Sequence, residues 1–122
     1  MDDNRNDSKE EAMETLKKFE LHITDTGKQI SIRRKGAPIT ERTSLCQIFI
    51  YHDVATMWGI QGEDFFRAIY ENLDTMFSLA NVYCGYVWDH HVDLYRHIGL
   101  NVEVLRKSEL EGFPISYIWV TR

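Results

Sequence analysis

The chain has 122 residues, 43% of them hydrophobic and 27% charged, with a formal net charge of −5. That is chain enough for one domain of ordinary composition, which argues against a fibrous repeat and against wholesale disorder. No apolar run approaches the ~18 residues of a membrane span, the first residues are acidic where a secretory signal is basic and then apolar, and a negative chain draws nucleic acid weakly through its bulk field.

A cytoplasmic protein is therefore expected, with no membrane partner and no cofactor. Cys46 and Cys84 are too few for a disulfide scaffold and lack a short metal-ligand spacing. No Ser-centred elbow and no Gly-rich phosphate loop occurs, so an enzyme is not expected.

Residues 1–8 lack apolar periodicity and are expected to form a disordered acidic tail, leaving 9–122 as a single α+β domain. Residues 9–18 hold good helix formers, with acids early and lysines late, in the order the helix dipole favours. Phe19, Leu21 and Ile23 then alternate with polar residues, as do Ile30 and Ile32, on either side of Asp25-Thr26-Gly27-Lys28. Period two around a glycine turn predicts an N-terminal β-hairpin. Arg33, Arg34 and Lys35 leave it as a basic patch.

Residues 39–98 read as mostly helical. Thr40 caps an expected helix bearing Leu45, Ile48 and Phe49. Phe65, Ile69, Leu73, Met76 and Phe77 make a helical stripe over 63–77, and Trp88, Val92, Tyr95 and Ile98 make another over 86–98. Gly99 stops the second. A C-terminal hairpin follows: Val102 and Val104 alternate with polar residues, a polar loop spans 106–114, and 115–120 is β-rich. The expected fold is α+β, with about three core helices between two terminal hairpins.

One segment carries a motif. In residues 51–70, YHDVATMWGIQGEDFFRAIY, Gly59 follows Ala55 by four residues and the apolar Phe65 follows it by ten. A small residue where two helices touch, a glycine at their turn and inward apolar residues form a steric code. The segment resembles the helix-turn-helix of the lac repressor and phage Cro families. Ordinary helix pairs also contain Ala-x-x-x-Gly. The C-terminal hairpin after Gly99 resembles the end of a winged-helix domain, with Arg106 and Lys107 near the wing; in that frame 86–98 would take the recognition role.

The resemblance implies a small transcriptional regulator that binds double-stranded DNA, possible as a homodimer. Its second helix would begin near Gln61. Gln61 would pair with adenine, Arg67 would reach guanine or phosphate, and Tyr70 would lie on the same face, with Arg33, Arg34, Lys35, Arg106 and Lys107 on the backbone.

Charge argues the other way. Residues 41–93 hold eight acids against Arg42 and Arg67, a net −6, and carboxylates repel phosphate. The alternative is an acidic interaction or inhibitor protein of phage or plasmid type. It would dock on a basic protein through Glu63, Asp64, Phe66, Tyr70, Glu71 and Asp74. His90, Asp93 and His97 share one helical stripe and form a minor candidate zinc site, weighed against a solvated histidine-bearing face.

Overall fold

The computed structural model describes Lys9 and residues 16–122; the expected tail at 1–8 and residues 10–15 of the expected N-terminal helix lie outside the described residues. β1 (Phe19–Ile23), β2 (Gln29–Arg34), β3 (Cys46–Tyr51) and β4 (Val54–Gln61) form an antiparallel meander. α1 (Glu63–Glu71) and α2 (Leu73–Leu79) carry the chain to β5 (Val82–Trp88), which is parallel to β4. α3 (Val92–His97) leads to β6 (Asn101–Leu110), and β7 (Phe113–Thr121) returns between β5 and β6. The result is one seven-stranded mixed sheet, ordered β1-β2-β3-β4-β5-β7-β6.

Burial defines two unlike faces. Ile30, Ile32, Cys46, Ile48, Ala55 and Met57 share one core cluster with Tyr83, Val87, Ile118 and Val120. These are alternate residues on their strands, and ladder partners such as Ile30 and Ile48 stand opposite one another. Phe65, Ala68 and Ile69 of α1, Met76 of α2, and Val92 and Tyr95 of α3 belong to the same cluster. The three helices therefore cover one face of the sheet. The two crossovers, from β4 to β5 and from β5 to β6, move the same way across the sheet with their helices on that one face, so they share one hand.

This architecture overturns the expected helical core with terminal hairpins. Residues 51–61 are not a helix: β3 ends at Tyr51, a two-residue loop of His52 and Asp53 turns the chain, and β4 runs to Gln61. Ala55 is a buried strand residue facing the helices, and Gly59, at φ +83°, sits where the β4–β5 register shifts between Thr56 and Ile60. Glycine tolerates that left-handed backbone, so its use here is a bulge within a strand. Thr40 precedes only a short 3-10 turn, Glu41–Thr43. Residues 82–88 are strand, which leaves α3 as the six-residue remnant of the helix expected over 86–98. The alternating runs at 19–34 and 101–120 are strands, but they form the two ends of one continuous sheet. Among the described residues no helix is long and apolar enough to cross a membrane.

Candidate functional site

Among the described residues no helix covers the sheet's second face, and its composition is unusual for a wet surface. β3, β4, β5 and β7, the four central strands, contain no Asp, Glu, Lys, Arg or His. An antiparallel sheet with one face in water normally alternates apolar with polar or charged residues. Here the outward positions hold rings. Phe49, Thr56, Cys84 and Trp119 stand in one cross-strand row, reached through the pairs Phe49–Thr56, Thr56–Cys84 and Cys84–Trp119. The next row runs Ile60, Tyr86, Tyr117 and Arg106.

The rings pack on one another. Phe49 and Trp58 have centroids 4.8 Å apart, and Tyr86 and Tyr117 meet edge to face at 5.0 Å. Trp58 is nevertheless 63% exposed and Tyr51 78% exposed. Beneath them Cys84 is only 4% exposed. The Tyr117 hydroxyl donates to Cys84 Sγ at 3.5 Å, and Thr56 Oγ1 lies 3.8 Å from the same sulfur. Its hydrogen bond to Cys84, and then burial, push the Tyr117 phenol up to about 12, so it stays a neutral donor at physiological pH. Charge returns on β1, β2 and β6: Glu20 and His22 on β1, with His22 Nε2 3.6 Å from Glu20 Oε2, the buried Arg33 opposite Glu20 on β2, and Glu103 and Arg106 on β6.

A second feature lies at the carboxyl ends of the parallel pair. Gly62, Glu63, Trp88, His90, His91 and Phe113 line an open cleft of about 470 Å³. Trp88 and Phe113 meet at 84° with centroids 6.3 Å apart. The Arg67 guanidinium holds the Glu63 carboxyl below its usual value, first by hydrogen bond and then by charge. Burial and the neighbouring His90 lower His91, against a weaker pull from Glu63.

Of the residues expected to read DNA, Gln61 and Arg33 are buried, and several others are paired with acids. Gln61 is 4% exposed at the end of β4, and its Nε2 donates to the Trp58 carbonyl at 2.6 Å, across the bulge. It does not begin a recognition helix. Arg33 is buried and donates to the Thr40 carbonyl and Thr43 Oγ1, pinning the loop after β2. Arg34 pairs with Asp64 at 3.1 Å, Arg67 with Glu63 at 2.9 Å, and Lys107 lies 3.9 Å from Asp89. Lys35 follows β2, with its backbone N–H bonded to the Lys18 carbonyl. Tyr70 is exposed on α1, stacked against Phe66.

The acids expected to dock a basic partner are occupied within the chain. Besides those of Glu63 and Asp64, the Asp74 carboxylate pairs with Arg122, and Glu71 accepts the backbone N–H groups of Lys18 and Phe19. Four acids of the middle segment, Asp64, Asp74, Asp89 and Asp93, lie within ion-pair distance of bases outside it, Arg34, Arg122, Lys107 and Arg96. His90, Asp93 and His97 are not brought together: Asp93 pairs with Arg96, and no group of three metal-ligating side chains gathers among the described residues.

The sequence reading missed the open face because its rings fell into apparent helical stripes. The signal that could have found it is the absence of any charge from 46–51, 54–61, 82–88 and 113–121. Comparison with known proteins adds no relative: no family model, curated protein or solved structure matches the chain.

Proposed function

We propose that this chain works by binding another protein through the open face of its sheet. The observation that carries the reading is the pairing of four uncharged strands with exposed rings on their solvent side. Protein interfaces deplete charge at their centre, enrich Tyr, Trp and Phe, and keep charged residues at the rim. The open face has that arrangement, with Glu20, His22, Glu103 and Arg106 at its borders. A stacking platform for single-stranded nucleic acid would also present rings, but it needs a positive groove to follow the backbone. The border charges here are mixed and the chain is net −5. The docking surface is therefore the rings, rather than the acidic helix face with Glu63, Asp64, Glu71 and Asp74.

The test is photo-crosslinking from a benzophenone side chain placed at Thr56, with the captured protein identified by mass spectrometry. Trp58→Glu should abolish the crosslink while the fold is retained. An unchanged crosslink pattern in Trp58→Glu would falsify the reading. Gel-shift titration against duplex DNA over a salt series should show no salt-sensitive complex.

The cleft at the ends of β4 and β5 supports a second reading. Open sheets with parallel strands bind small ligands outside the carboxyl ends of those strands, and the β4–β5 ladder shifts register just below that point. A small ligand with an apolar body would rest between Trp88 and Phe113. A fragment screen by protein-observed NMR checks this: the Trp88 indole and Gly62 amide should shift together, and a screen leaving both unmoved removes the reading.

A further inference from the structure

We infer that the cleft between Trp88 and Phe113 takes a small alkylammonium cation, with a methylated ammonium head as the recognised group. This rests on the reading of the cleft as a small-ligand site and names the chemistry of its ligand. Shape, charge and the adjoining helix end favour a cation over a flat ring or an anion.

Trp88 ends β5 and Phe113 opens β7, and the antiparallel ladder carries both to one end of the sheet. Their planes stand 84° apart with centroids at 6.3 Å. Rings at right angles make a corner. That suits a rounded group touching two ring faces, rather than a flat ring held between parallel walls. The negative face of an aromatic ring attracts a cation within about 6 Å of its centroid, and Trp does so most strongly. A Cβ on Gly62 would lie 4.0 Å from Trp88 Cδ1 and Nε1, so glycine there leaves that indole edge uncovered. The imidazoles of His90 and His91, with centroids 4.2 Å apart, complete the wall.

Glu63 is the only acid lining the cleft, and no Lys or Arg lines it among the described residues. Arg67 holds Glu63 through Oε1 alone, from Nε at 3.2 Å and Nη2 at 2.9 Å, and Oε2 takes no part in that pair. The Glu63 carboxyl is held below its usual value and so is ionised at neutral pH, whereas burial keeps the His91 imidazole uncharged there.

α1 begins at this cleft, and a helix amino end ordinarily draws anions. Here Glu63 and Asp64 fill its first turn, and the cap, Gly62, has no side chain. An incoming phosphate meets those acids. Arg67, Arg34 and Lys107 each sit against an acid, Glu63, Asp64 and Asp89, so they gather no positive pocket.

Protein-observed NMR titration at about pH 8, above the ordinary histidine value, tests the inference with choline against 3,3-dimethylbutan-1-ol, its uncharged isostere. Choline should move the Trp88 indole and the Gly62 amide, and bind about tenfold tighter than the alcohol. Phe113→Leu keeps an apolar side chain but removes a ring face. It should weaken choline about fivefold and the alcohol less than about twofold. Glu63→Gln should weaken choline about threefold and leave the alcohol unchanged. Phe113 and Glu63 are both exposed, so these variants keep the fold, which circular dichroism confirms. Equal affinity for choline and the alcohol overturns the inference while the small-ligand reading stands. A choline response indifferent to both substitutions overturns it, as does a response to inorganic phosphate in place of choline. Silence toward all three probes also overturns it. The fragment screen then separates the two readings: uncharged fragments that move Trp88 and Gly62 preserve the cleft as a ligand site, and none that do so removes both.

Discussion

Gly85 on β5 passes so close to Met57 on β4 that a Cβ placed on the glycine would lie 2.9 Å from the Met57 Cβ and 3.0 Å from its carbonyl oxygen. The contact sits on the helix-covered side of the parallel pair, between the ladder pairs Thr56–Cys84 and Ile60–Tyr86 where the register shifts. Since a backbone atom is among the contacts, rotation of the Met57 side chain cannot clear the space. Gly85→Ala should cost about 1–3 kcal/mol as an overpacked core position. Urea unfolding should show a lower midpoint with an unchanged slope, and an unchanged midpoint would mean the two strands can move apart freely.

The strands that could be read from sequence are those whose outward side is polar. Phe19, Leu21 and Ile23 alternate with Glu20 and His22, and that segment is β1. In β3 the inward Cys46, Ile48 and Ile50 alternate with Gln47, Phe49 and Tyr51, so apolar residues fall on both faces and the period of two disappears. Leu45, Ile48 and Phe49 then imitate a helical stripe. β4 and β5 conceal themselves in the same way through Trp58, Tyr86 and Trp88. The helices that were legible, around Phe65, Ile69 and Met76, are those with one wet side. The helix-turn-helix spacing of Ala55, Gly59 and Phe65 arose from a strand residue, a bulge and a helix residue that share no helical frame. Local pattern and tertiary structure disagree most where the candidate face lies, as expected when a surface is shaped for contact rather than for water.

The two faces should respond differently to truncation. Ile48 is fully buried beneath the helices, so Ile48→Ala should cost about 2–5 kcal/mol. Trp58, on the opposite face, touches Phe49 but remains largely exposed. Trp58→Ala should cost the isolated chain about 0.5–1.5 kcal/mol, the scale of one aromatic pair. Chemical denaturation of both variants at low protein concentration checks this, and comparable losses would mean that Trp58 is a core residue.

Glu71 ties the start of the sheet to the helix layer. Both of its carboxylate oxygens accept the Lys18 N–H at 3.0 Å, and Oε2 also accepts the Phe19 N–H at 3.2 Å, linking residues more than fifty positions apart. Hydrogen bonds to a charged group contribute about 1.5–3 kcal/mol each when sheltered, and less at a wet edge such as this one. Glu71→Ala should therefore destabilise the chain by about 1–2 kcal/mol. Hydrogen exchange at the Lys18 and Phe19 amides should accelerate more than exchange at Ile48 or Val87. Equal acceleration throughout would show a global effect in place of a local tether.

His91 should make stability depend on pH near neutrality. Burial and the nearby His90 hold its imidazole below the ordinary value, with Glu63 opposing them. A histidine with a depressed folded value takes up a proton more readily in the unfolded chain. Between that folded value and ~6.5 the unfolded state binds more protons, so stability rises with pH through the window and is complete above it. Glu63, whose folded value is lowered by Arg67, makes its own loss only in more acidic solution, below about pH 4.5. Urea midpoints measured from pH 5 to pH 7 lie above the Glu63 window, and comparison with a His91 variant separates His91 from the other histidines. The wild-type midpoint should climb over that range, and His91→Gln should climb less. Parallel curves for the two proteins would mean that His91 is equally free to protonate in both states, and that the cleft beside Trp88 is open to water.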